Sequence, residues 1–144
     1  MSDNSIVIAG DHAGAGLKSE LVQHLKDRGF EPLDLGADGS ESVDYPDYAD
    51  KLAAAIADGR ADRGVLVCGT GIGISIAANR YRHIRAALCH STTDARLSRQ
   101  HNDANVLALG ARTMGAQTAL DCLDVFLDTD FEAGRHARRV GKMS

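Results

Sequence analysis

Short apolar runs and longer amphipathic stretches alternate along this chain. The first is Ser5 to Ala9 (SIVIA), a β-branched run that stops at Gly10 and predicts a buried strand. Leu17, Leu21, Val22 and Leu25 then recur at helical spacing until Arg28-Gly29, where the glycine stops the helix. Glu31 to Leu35 (EPLDL) is a second strand, with Pro32 marking its start or an edge position. The polar segment GADGSESVDYPDY reads as a loop, and an alanine-rich helix follows from about Tyr48 to Ala57. Gly64 to Cys68 (GVLVC) is the clearest buried strand and runs straight into Gly69-Thr70-Gly71-Ile72-Gly73, after which Ile74 to Asn79 is helical. Arg85 to Cys89 predicts a fourth strand, and Thr92 to His101 a fourth helix capped by Thr92 or Thr93. Val106 to Leu109 is a fifth strand and Ala116 to Leu127 a long helix.

Strict alternation of this kind predicts an α/β fold, a Rossmann-like three-layer αβα sandwich with a five-stranded parallel sheet. No repeat or linker divides the chain, so residues 1–144 are expected to form a single domain. Ligands in such sheets sit outside the carboxyl ends of the strands. That rule selects Asp11 and His12 after the first strand, Cys68 to Thr70 after the third, His90 after the fourth, and Ala111-Arg112 after the fifth.

Composition narrows the ligand. With 44% hydrophobic and 25% charged residues the chain has ordinary globular usage, and its net charge of −4 argues against a nucleic-acid partner. One basic corner, Arg135, His136, Arg138, Arg139 and Lys142, suits a small anion instead. The three cysteines, Cys68, Cys89 and Cys122, are far apart and lack CxxC spacing, which fits free thiols in a reducing cytoplasm. No signal peptide and no run of membrane-spanning length is evident, so no membrane partner is expected.

The glycines after Cys68 allow close backbone approach and turn N–H groups toward an anion, beside a helix start. A Walker loop would need GxxxxGK[ST], and a dinucleotide fingerprint would need glycine or alanine where Ile74 stands. The other glycine-rich turn, Gly10 to Gly16, misses that spacing too, although Asp34 sits where a ribose-binding acid would. Cys68 beside backbone dipoles is a candidate thiolate, against the plain reading of a small residue ending a strand. Cys89 and Cys122 read as packing residues. His12 at a strand end reads as functional, while His101 has a competing role as a cation at a helix C-terminus. His24 and His83 read as solvated surface groups and His90 as structural. Asp11, His12, His101 and Asp103 include metal-ligand types, but no HxxxH, HExxH or facial-triad spacing appears, and the site is expected to hold no metal. Arg135 and Arg139, four apart, share a face if helical, and with Arg112 they form a candidate phosphate clamp.

These residues resemble the type B ribose-5-phosphate isomerases and the related galactose- and allose-6-phosphate isomerases. The resemblance lies in Ala9 to Gly14 (AGDHAG), Asp44-Tyr45-Pro46, Cys68 to Asn79 (CGTGIGISIAAN), Ser98 to Asp103 (SRQHND) and Gly134 to Arg139 (GRHARR), collinear over nearly the whole chain. It implies cofactor-free interconversion of an aldose phosphate and its ketose in a homodimer, or a dimer of dimers, with active sites at the subunit interface. Residue by residue, it implies Cys68 as the base between C1 and C2 and His101 as the group that opens the furanose ring. Asp11, His12, Tyr45 and Asn102 would contact the sugar. The backbone of Gly69, Gly71, Ile72 and Gly73 would stabilise the enediolate with help from Thr70, and Arg112, Arg135 and Arg139 would hold the phosphate. Some members carry a glutamate base in the glycine-rich segment, where this chain has Ile74, so it resembles the cysteine type. Ribose 5-phosphate is the expected substrate; allose 6-phosphate, galactose 6-phosphate and erythrulose 4-phosphate are alternatives. A non-catalytic phosphate- or nucleotide-binding module and a redox-sensing thiol protein are the readings from other classes.

Overall fold

The computed structural model describes residues 4–144. Over these residues the strands are β1 (Ser5–Gly10), β2 (Glu31–Asp34), β3 (Arg63–Cys68), β4 (Ala86–Leu88) and β5 (Val106–Gly110). The helices are α1 (Ala15–Asp27), α2 (Tyr45–Ala57), α3 (Ile72–Ala78), α4 (Thr92–Asn102), α5 (Ala116–Asp128) and α6 (Arg135–Gly141), with a 3-10 turn over His12–Gly14. All strand pairs are parallel, in the order β2-β1-β3-β5-β4.

Successive strand side chains point to opposite faces, and each face has its own apolar layer. Val7, Ala9, Leu66 and Cys68 face α2 and α3, packing with Leu52, Ala53, Ile74 and Ala78. Ile6, Ile8, Val65, Val67, Leu107 and Leu109 face α1, α4 and α5, packing with Leu21, Leu25, Ala95, Cys122 and Phe126. The expected three-layer sandwich is therefore observed. Cys89 and Cys122 are packing residues in the second of these layers.

Several boundaries differ from the sequence reading. Helix α2 starts at Tyr45 rather than Tyr48, because Pro46 occupies the first helical turn, where a missing N–H costs nothing. Helix α3 starts at Ile72 rather than Ile74, and β4 keeps only three of its five expected residues. The cap of α4 is Ser91, whose side chain accepts the Asp94 N–H at 3.1 Å. Neither His24 nor His83 is simply solvated. His24 pairs with Asp124 at 2.7 Å, joining α1 to α5, and the His83 ring lies 2.8 Å from the Ala53 carbonyl oxygen.

The chain leaves β1 toward β2 on one side and returns to β3 on the other, so the topological switch point lies between β1 and β3. Crevices in open parallel sheets form at such points. Here Gly10 pairs with Val67, and a Cβ on Gly10 would collide with the Val67 carbonyl oxygen. The glycine lets the Asp11 turn fold tightly against the end of β3.

Candidate active site

Because the strands are parallel, all their carboxyl ends lie on one edge of the sheet. At that edge Cys68 ends β3 with 4% of its surface exposed, and its Sγ accepts the Gly71 N–H at 3.1 Å. The bend that aims this N–H at the sulfur needs Gly71 at φ 77°, where a Cβ would also sit 2.6 Å from Leu88 Cδ1. Thr70 Oγ1 accepts the Ile72 N–H at 3.1 Å. Two of the loop's amide donors are thus engaged within the loop rather than open to a ligand. Gly73, at the second position of α3, has an N–H with no partner inside the helix.

Asp11 is buried, and its Oδ1 accepts the Gly14 N–H at 3.1 Å, closing the 3-10 turn. His12 is exposed and its Nδ1 accepts the Val43 N–H at 3.1 Å, which leaves Nε2 as the ring's donor. The Tyr45 ring covers Gly73, so close that a Cβ there would meet Cζ at 2.6 Å. Arg112 folds its side chain over Gly69, and its own N–H donates to the Gly69 carbonyl at 2.8 Å. Asp11, His12, Tyr45, Cys68, Gly69 to Gly73 and Arg112 are therefore gathered at the carboxyl edge. Asp34 is not free for a nucleotide ribose, since both its carboxylate oxygens lie 2.8 Å from Lys18 Nζ.

The remaining predicted residues lie elsewhere. Each helix carries the chain back from the carboxyl edge, so the last turn of α4, with His101 and Asn102, lies at the amino edge. Asp103 follows in the left-handed conformation, its carboxylate paired with Arg85 and Arg99 at 3.3 and 3.1 Å, which occupies it structurally. Arg63, the first residue of β3, donates to the Leu127 carbonyl at 3.1 Å, fixing the end of α5 at the same edge. Arg99 Nε donates to the Thr129 carbonyl at 3.1 Å, and α6 then packs on α4 with Arg135 and Arg139 exposed. Six-residue β3 spans roughly 20 Å between the two edges. One chain therefore does not bring Cys68 to His101, nor Arg112 to Arg135 and Arg139.

Two residues stand beside His101 at the amino edge in a way the sequence did not reveal: Glu132, which it left unassigned, and His136, which it placed only in the basic corner. His136 is buried, and its ring stacks on His101 with centroids 4.3 Å apart and planes 15° from parallel. Glu132 Oε1 lies 3.8 Å from His101 Nε2 and 3.9 Å from His136 Nε2. The four-residue spacing of Glu132 and His136 was visible; their approach to His101 depends on α6 docking on α4. Burial, with His101, Arg135 and Arg139 nearby, pushes the His136 imidazole below its ordinary pKa, against the opposing pull of Glu132.

Comparison with known proteins identifies the family and matches the fold. The family described as Ribose/Galactose Isomerase matches residues 6–143. The Escherichia coli K12 protein named ribose-5-phosphate isomerase B is 50% identical over 135 residues, covering 94% of this chain and 91% of that protein. A Pectobacterium atrosepticum protein named D-erythrulose-4-phosphate isomerase is 44% identical, covering 96% of this chain and 92% of its own. The solved structure of ribose-5-phosphate isomerase B from Clostridium thermocellum superposes with a TM-score of 0.95 at 54% identity, covering 96% of this chain and 94% of the other. The chain belongs to the ribose/galactose isomerase family, whose class of activity is aldose–ketose isomerisation.

Proposed function

We propose that this chain interconverts D-ribose 5-phosphate and D-ribulose 5-phosphate, with Cys68 as the base, in a homodimer whose subunits share their active sites. The observation that carries this reading is the buried Cys68 Sγ at the switch point, held by the Gly71 N–H, with Asp11, Tyr45 and Arg112 on the same edge of the sheet. A thiolate there takes the proton from C2 of the open-chain aldose. The C–H electrons form the C1=C2 bond of the enediolate, and the carbonyl oxygen takes up the charge. The O2 hydroxyl proton passes to O1, and the thiol returns its proton to C1 as O2 becomes the ketone, so no oxidant or cofactor enters the balance. The Gly73 N–H and Thr70 hydroxyl suit the developing oxyanion, a role in which one good donor contributes about 3–4 kcal/mol.

Ring opening needs a proton donor at the ring oxygen, and His101 supplies it from a second copy of the chain. The two halves of the predicted site lie on opposite edges of the sheet, so a two-fold dimer completes two sites at once by setting each amino edge against the other's carboxyl edge. His101, Asn102, Arg135 and Arg139 then join Cys68, His12 and Arg112 of the other chain. Exposed apolar side chains on both halves support this arrangement. Tyr45, Ile72 and Ile76 are 40, 49 and 62% exposed beside the carboxyl edge, and Met143 follows α6 at 56%. In this reading residues 1–144 act as one domain, and three free thiols suit the reducing cytoplasm.

A second substrate has a specific observation in its favour, the 44% identical relative named for D-erythrulose 4-phosphate. Turnover of both sugar phosphates by the purified protein, with chelator present, ranks them by kcat/KM. Ribose 5-phosphate is expected to lead, and a large preference for erythrulose 4-phosphate reverses the substrate assignment. Cys68→Ala is expected to lose about a hundred- to ten-thousandfold in kcat while still binding the sugar phosphate. An active, folded Cys68→Ala variant removes Cys68 from the mechanism.

A further inference from the structure

His101, Glu132 and His136 reach one another from the end of α4, the segment after α5 and the first turn of α6. Their ligand-type atoms all lie within 4.8 Å of one another. Backbone bonds hold the group in place: the Glu132 N–H donates to the Gln100 carbonyl at 3.0 Å, and the His136 N–H to the Ala133 carbonyl at 3.0 Å. Neither imidazole makes a short ion pair with the carboxylate, at 3.8 and 3.9 Å, so the carboxylate is not locked to either ring.

We propose that His101, Glu132 and His136 form a binding site for a zinc-class divalent cation, and that occupation of the site inhibits the isomerase by taking His101 out of ring opening. Binding stands on the geometry alone; inhibition rests on the proposed role of His101.

Two imidazoles and one carboxylate are a common zinc donor set, with metal–ligand distances near 2.0–2.1 Å. Donors that far from a tetrahedral ion are about 3.3–3.4 Å apart, so the Glu132 oxygen must close on each imidazole by about half an ångström. Glu132 and His101 are the more exposed members, and because the two ring planes lie 15° from parallel, the His101 ring has to turn out of the stack until its Nε2 lone pair converges with that of His136. Imidazole donors favour zinc, nickel or copper over magnesium or calcium. Arg135 and Arg139 beside the site oppose a dication, which suits reversible inhibition better than a permanent structural ion.

The test combines a binding arm and an activity arm on the full chain. Metal-stripped protein is titrated with Co²⁺ followed by visible absorption, and with Zn²⁺ followed by calorimetry. Wild type and Cys68→Ala are expected to bind one ion per chain with no thiolate-to-cobalt band. Glu132→Gln and His136→Gln are expected to bind at least about tenfold more weakly, since even outer-sphere partners of a metal ligand cost that much. In the activity arm, Zn²⁺ suppresses ribose 5-phosphate turnover by wild type, chelator restores it, and Mg²⁺ has no effect. Glu132→Gln turns over substrate and needs at least about tenfold more Zn²⁺ for the same inhibition. The proposal is overturned by absent binding, by unchanged affinity in both ligand variants, by loss of binding in Cys68→Ala, or by zinc that binds without inhibiting. Should the protein lack sugar-phosphate turnover altogether, the binding arm still decides whether the site exists.

Discussion

Cys68 differs from Cys89 and Cys122 in what its sulfur touches, since all three side chains are buried. Burial pushes the Cys89 thiol up to about 12 and the Cys122 thiol up to about 11, with nearby acidic groups adding to both shifts. Both stay protonated near neutral pH and both pack inside the sheet layer, whereas the Cys68 sulfur accepts an amide N–H at the ligand edge. Mild alkylation of the native protein is therefore expected to mark Cys68 alone, and ribose 5-phosphate to slow it. Peptide mass spectrometry showing adducts on Cys89 in folded protein contradicts this. The same shifts set an alkaline limit on stability. Above the ordinary thiol value of 9.0 the unfolded chain releases protons that folded Cys89 and Cys122 retain. Stability from these thiols is thus full below pH 9 and declines as pH rises toward about 12 and about 11. Urea midpoints that stay level across this range count against buried, protonated thiols. Cys68 was legible from its place between a buried strand and three glycines; its amide partner was not, because that contact depends on the left-handed Gly71.

At the scale of elements, the sequence pattern located every strand and most helices, and it failed where polar residues begin a helix. Asp44-Tyr45-Pro46 was read as loop because turn-forming residues run into it, yet Pro46 is at home in the first turn of α2. The error matters for the site, since that turn lays Tyr45 across Gly73. The junction of β3 and α3 is similarly compressed, and Gly71 sets it. Gly71→Ala forces a side chain into the left-handed region and against Leu88 and the Leu109 backbone, an expected loss of about 1–3 kcal/mol with displacement of the amide from Cys68. Gly16→Ala is the control: it lies in the first turn of α1 with nothing within 4 Å of the added Cβ, and is expected to gain about 0.4–1 kcal/mol. Thermal melts of the two variants with turnover assays check both. A neutral Gly71→Ala leaves the proposed sulfur–amide geometry without a function.

At the scale of the whole molecule, sequence reasoning named candidate site residues without giving the distances between them. Residue types and motif order carry no distances, and only the parallel topology reveals that Cys68 and His101 end on opposite edges. That division makes the dimer a chemical requirement of the proposed mechanism. Ile76→Glu, placing a charge on the most exposed apolar side chain of α3, is expected to shift sedimentation toward monomer and to lower activity in parallel. The sharper test uses two inactive variants, Cys68→Ala and His101→Asn. In a mixed dimer one site lacks both groups, whereas the other joins the intact Cys68 of one subunit to the intact His101 of its partner. Unfolding and refolding the two variants together in equal amounts makes half the dimers mixed, each with one intact site, so about a quarter of wild-type activity is expected from pairs inactive alone. A site confined to one chain gives no recovery whatever the mixing ratio. Recovery that follows the mixed-dimer population assigns the two halves of the chemistry to two subunits, because no other pairing in the mixture contains both groups at one centre.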